Sequence, residues 1–193
     1  MTEPPPGVPL RRGGWGRQAD GALLTWSIAE GSRGRRWRAT TIVDGMLHQA
    51  VVLETDAERR ARRLEVASNA GLLTLHPDRD ERQLHGNVVT PDGIRHLRFE
   101  WSARHELVAA GMSLVAVAGA WRLGGEVGVG EGSERPAVIV GADLACVPGE
   151  VRFERLDGRA WRVRAGGFES VVTCEPDGRP GLDDADEWPL EED

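Results

Sequence analysis

The apolar residues of this chain come in short alternating runs closed by glycine or Asp-Gly, and that punctuation constrains the fold more than any other property. Asp92–Trp101 reads DGIRHLRFEW, with Leu97, Phe99 and Trp101 on one side and His96, Arg98 and Glu100 on the other. Successive side chains in a strand point to opposite faces, so this run has one dry face and one wet face. Ala22–Ala29, Arg36–Val43, Met46–Glu54, Arg59–Ser68, Leu72–His76 and Glu81–His85 repeat the pattern before it. Pro136–Cys146, Glu150–Arg155, Trp161–Ala165 and Phe168–Cys174 repeat it afterwards. Asp44-Gly45, Asp92-Gly93, Asp157-Gly158 and Gly166-Gly167 mark the turns. Met112–Arg122 reads as an apolar strand, Ser102–Ala110 as a short helix or irregular crossover, and Gly124–Gly132 as a mobile glycine-rich hairpin loop. The pattern predicts an all-β fold: a single large antiparallel meander sheet curled into a half-barrel or β-roll, because a wide sheet must manage its twist and its edges. A curled sheet encloses a hollow, and the hollow is the main clue to function.

The 193 residues suit one domain over 20–182, with a proline-rich, poorly ordered lead-in at 1–19 and a solvated acidic tail at 183–193. Seven acids and no base follow Leu182, so the formal charge of −7 belongs to the tail and residues 1–182 are neutral. That balance excludes a nucleic-acid footprint and a membrane-surface helix. All 24 basic residues are arginine, which rules out a Walker-type phosphate loop, a pyridoxal Schiff base and any lysine nucleophile. Cys146 and Cys174 make no disulfide framework or metal clasp, no cofactor motif is present, and the five histidines have no ligand spacing. With no apolar leader and no membrane-length apolar run, a reducing cytoplasm is the expected compartment.

Two residue types remain as candidates for binding. Arg59, Arg60, Arg62 and Arg63 would place guanidinium forks on both faces of a strand, where they suit an anionic head group or pair with Glu54, Glu58 and Glu65. Of seven tryptophans, Trp15 and Trp188 are expected at the surface and the rest in the core; Trp37 and Trp161 also sit among arginines, as at a cavity mouth. An enzyme alternative, a hydrolase or isomerase, would gather His96, His105 and Glu106 in the hollow with Arg98 as charge stabiliser. Ser102, His105 and Glu106 lie too close in sequence for a nucleophilic triad, and no Gly-x-Ser-x-Gly elbow exists. A third reading is an interaction module pairing its open sheet edges with a second copy, although a monomer is favoured.

Several stretches resemble a bacterial family named for glycolipid binding and originally of unknown function. These are Asp56–Val66 (DAERRARRLEV), Asp92–Ser102 (DGIRHLRFEWS), and Arg155-Leu156-Asp157 followed by Trp161 and Phe168–Cys174. The similarity spans residues 20–182 and implies a half-barrel or roll that holds a lipid or glycolipid. His96 and Arg98 stand where the family alternates acids, and Ala103–Met112 replaces its proline- and asparagine-containing loop, so no site residue is carried over. The expectation is a non-enzymatic binder with its ligand on the concave face of the sheet, touched by Arg60, Arg62, Trp37, His96, Arg98 and Trp161.

Overall fold

The computed structural model describes residues 10–18 and 20–190, arranged as fifteen strands and one helix. The first strands are β1 (Arg11–Arg17), β2 (Leu23–Gly31), β3 (Gly34–Val43), β4 (Met46–Thr55) and β5 (Ala61–Ser68). They continue as β6 (Gly71–Pro77), β7 (Gln83–Thr90), β8 (Gly93–Glu100) and β9 (Glu106–Ala109), and α1 (Ser113–Leu123) follows. The chain ends with β10 (Gly132–Val140), β11 (Cys146–Arg155), β12 (Ala160–Ala165), β13 (Phe168–Cys174), β14 (Pro180–Gly181) and β15 (Asp183–Pro189).

The fold is all-β and built around a large antiparallel sheet and a half-barrel curl, as the alternation requires. The strands are shared between two sheets. The nine-stranded sheet runs β15-β1-β2-β3-β4-β5-β6-β7-β8 and the six-stranded sheet runs β14-β13-β12-β11-β10-β9. Tight turns set the meander: Asp44 and Gly45 both adopt positive φ, the geometry a two-residue hairpin demands. Register then follows from burial. Trp26, Ala39, Val51, Val66, Leu73 and Val88 lie opposite one another across six strands, all buried on the inner face. Ile28, Trp37, Leu53, Leu64 and Leu75 form the next row inward from solvent, and a one-residue slip would expose every member. β8 keeps its predicted alternation: Leu97 and Phe99 pack on the core while His96, Arg98 and Glu100 are exposed.

Four expectations are corrected. Met112–Arg122 is α1 rather than a strand, and eight of its eleven residues are buried because it lies between the sheets. A helix apolar all round has no wet face to betray its period. The predicted helix or crossover, Ser102–Ala110, instead supplies β9, which pairs in parallel with β10. Parallel neighbours need a crossover connection, and α1 provides it. The glycine-rich Gly124–Gly132 is not a free hairpin loop: the Arg155 guanidinium donates to the carbonyls of Gly124 and Val127, and Val127 is buried. Finally, strands extend past both expected boundaries. β1 falls in the supposed lead-in and β15 in the supposed acidic tail, and the two pair with each other. Residues 1–9, 19 and 191–193 of those segments lie outside the described residues.

Candidate ligand cavity at the seam of the sheets

The concave face is packed. Its side chains meet α1 and the six-stranded sheet in one continuous core, and the gap beside Leu53, Ala61, Glu106 and Gly119 measures only about 10 Å³. A cavity of about 450 Å³ opens at the rim, where the end of β1, the first turns of α1, and β13 to β15 meet; shallower depressions lie against the outer face of β11 and β12 and beside Arg98 on β8. Val117, Val172, Pro180 and Leu182 are among the apolar residues lining the rim cavity, and Gln18, Ser113, Ser170 and Thr173 among its polar ones. Arg17, Asp20, Glu169 and Asp183 surround the opening with both signs of charge. Gly16 makes the wall close-fitting: a Cβ there would lie 2.6 Å from the Leu182 Cβ, so only glycine lets Leu182 tuck against β1. Two polar atoms in the cavity lining, Ser113 Oγ and Gln18 Nε2, are buried without a hydrogen-bond partner. Ser113 also begins α1, whose preceding Met112 supplies no side-chain cap. Buried polar groups are ordinarily satisfied, so these two atoms mark polar sites beside the cavity that the protein itself leaves unpartnered.

The residues singled out in the sequence occupy four separate places. Arg62 donates to Asp56 at 2.8 Å and pairs with Glu81, and Arg60 lies 3.9 Å from the same Glu81, so both are engaged with carboxylates of the β4–β5 and β6–β7 connections. Arg59 and Arg60 precede β5, in a turn held by Asp56. Trp37 is wholly buried in the nine-stranded sheet and Trp161 is buried in the six-stranded one, beneath Arg155 at 5.5 Å. His96 and Arg98 face outward on β8, with His96 Nδ1 2.6 Å from Asn87 Oδ1. They do not converge on one another or on the cavity. Trp26 and Trp101 join the core, whereas Trp15 and Trp188 are 38% and 43% exposed, as expected.

The enzyme set does not assemble either. Ser102 Oγ sits 2.9 Å from His105 Nδ1 within one turn, and the His105 ring leans on Trp101 at 5.1 Å. Burial pulls the His105 pKa down. Glu106 is engaged elsewhere, 2.8 Å from Arg122, and burial lifts its carboxyl to about 7 against the pull of Arg122 and Arg135. Burial also pushes the Cys146 and Cys174 thiols up to about 11 and about 12, which leaves no thiolate to attack at neutral pH. Among the described residues no group of three or more His, Cys, Asp or Glu side chains is placed to hold a metal ion.

The arginine–tryptophan association is present, but it serves packing. Trp121 of α1 has the Arg35 and Arg59 guanidinium carbons each 3.8 Å from its ring centroid, and meets Trp37 edge-on at 5.6 Å. Arg59 donates to the Trp121 carbonyl and Arg35 to the Asp177 carbonyl. This clamp ties β3, the β4–β5 connection, α1 and the β13–β14 turn together. The sequence did not single out Gln18, Ser113 or Leu182, because Ser113 was read inside a strand and Leu182 as a domain end.

No family model matches the chain, and no curated protein does. Among solved structures, a DUF1089 family protein from Pseudomonas aeruginosa matches with a TM-score of 0.51 and 17% identity, covering 81% of this chain and 86% of that one. The likeness is one of fold. Among the described residues no helix is long and apolar enough to cross a membrane.

Proposed function

We propose that this protein is a non-enzymatic binder of an amphipathic small molecule of the lipid or glycolipid class, and that the ligand sits in the seam cavity rather than on the filled concave face. The observation that carries this reading is a cavity of about 450 Å³ lined by both apolar and polar side chains, two of which, Ser113 and Gln18, carry an unpartnered polar atom. Sites for small ligands have this size and this division of labour, apolar area for affinity and a few fixed polar groups for orientation. Val117, Val172 and Leu182 suit an acyl segment, and Ser113 and Gln18 suit a hydroxylated or carbonyl-bearing head. Native mass spectrometry after mild purification, with organic extraction of whatever is released, tests it. The expected result is a one-to-one amphipathic adduct that is lost in Ser113→Trp, which fills the cavity from α1. A protein that carries no adduct and does not bind a fluorescently labelled fatty acid added to it would reject the reading.

A further inference from the structure

The nine-stranded sheet is open, and its two edges are chemically unlike. One edge is β8, whose sequence GIRHLRFE is almost entirely exposed and presents Arg95, His96 and Arg98 against a single acid, Glu100. The other is β15, DDADEWP, exposed along nearly its whole length and presenting Asp183, Asp184 and Asp186 with no base of its own, while Glu187 is half-buried. Arg17 reaches Asp184 only at 4.0 Å and Arg179 takes up Glu187, while Asp183 and Asp186 have no ion pair among the described residues. Each strand offers a row of unpaired backbone groups, eight residues long in one case and seven in the other.

We propose that these edges are the two halves of one self-association surface, β8 of one copy adding to β15 of the next. Charge selects the pairing by exclusion. β15 against β15 sets three exposed acids against three, and β8 against β8 sets arginines against arginines, so both two-fold arrangements carry like-charge repulsion. The mixed pairing alone joins opposite signs. Its geometry follows from the topology: every neighbouring pair in this sheet is antiparallel, and nine strands therefore begin and end in the same direction. Successive copies related by continuation of the sheet would pair β8 and β15 in parallel. Such an interface is heterologous, so it does not stop at two copies. The exposed side chains of Ile94 and Trp188 lie on these same edges and add apolar area to the contact.

Light scattering and sedimentation of the whole chain test the proposal. Surface charges act over about 30 Å at about 10 mM salt and about 3 Å at 1 M. The mass should climb beyond that of a dimer with protein concentration at low salt, and return to that of a monomer at high salt. Arg95→Glu/Arg98→Glu makes both edges acidic, and Ala185→Arg/Asp186→Arg weakens the acidic edge beside a basic one. Each variant alone should associate about tenfold more weakly or worse, whereas an equimolar mixture of the two should regain association, because the unaltered β15 of the first meets the unaltered β8 of the second. Circular dichroism confirms that each variant is folded, and the salt dependence of the unaltered protein stands without them. A monomer at every concentration in low salt overturns the proposal, as does a mass that levels off at a dimer and ignores the charge changes. Neither result touches the seam cavity, whose adduct is read separately.

Discussion

At the scale of single residues, the chemistry that the sequence advertised most loudly turns out to be structural. The run Arg59–Arg63 is absorbed by Asp56, Glu65, Glu81 and the Trp121 ring. Its nearness to acids was visible in the sequence; its stacking on Trp121, 62 positions away, was not. Glu106 is the reverse case, considered in the sequence only for an enzyme set that does not assemble, and buried in the fold. Its carboxyl rises from 4.5 to about 7, chiefly through desolvation, although Arg122 lies beside it. The unfolded chain thus ionises Glu106 at a lower pH than the folded one. Stability from this group is complete below about pH 4.5 and is lost as pH rises to about 7, by at most about 3 kcal/mol. Urea unfolding at about pH 5 and about pH 8 should show that loss, and Glu106→Gln should flatten the difference between the two. An equally steep dependence in the variant would assign the slope to other groups.

At the scale of elements, α1 shows where pattern reading fails. The segment MSLVAVAGAW carries a single polar side chain, Ser113 near its start, and a buried strand and a buried helix look alike without a wet face. What distinguishes the helix is a contact the local sequence does not contain. Gly119 faces the Phe153 ring of β11 so closely that an added Cβ would lie 2.5 Å from its Cζ. Helix propensity alone predicts that Gly119→Ala stabilises by about 1 kcal/mol. Overpacking against a fully buried ring costs about 1–3 kcal/mol and should win. Thermal denaturation of Gly119→Ala is expected to show a net loss of about 1 kcal/mol, partly recovered when Phe153→Leu is added. A gain in stability would show that the ring yields freely. β9 was hidden for a related reason: a short strand with all four residues buried carries no alternation to read.

At the scale of the whole molecule, the meander from β2 to β8 was legible because each strand pairs with its neighbour in sequence through a turn the residues announce. The division into two sheets was not, since it depends on which strands stop pairing. Nor was the return of β15 to β1, in which DDADEWP pairs on the strength of backbone hydrogen bonds and of Trp188 lying over Gly13. The seam cavity exists only because of that return, which is why the site eluded the sequence while the fold class did not. Protection of amides from exchange should follow the same division. It should be greatest in β4 to β6, which have partners on both sides and buried inner faces, and least in β15, an edge strand with exposed side chains. Equal protection of β15 and β5 in the monomer at high salt would contradict this picture.

The pairing of β1 with β15 also fixes an order in time. β1 leaves the ribosome before any other described strand, yet its outer neighbour is the last to be made. Until then it is a temporary edge, and a soft one: three of its seven residues, Gly13, Gly14 and Gly16, have no side chain with which to hold it extended. The places those side chains would fill are taken later by Trp188 and Leu182, and by Trp26 from its inner neighbour. During synthesis the strand is therefore guarded mainly by Arg11, Arg12 and Arg17, whose charges repel the same strand on a neighbouring nascent chain translated from the same message.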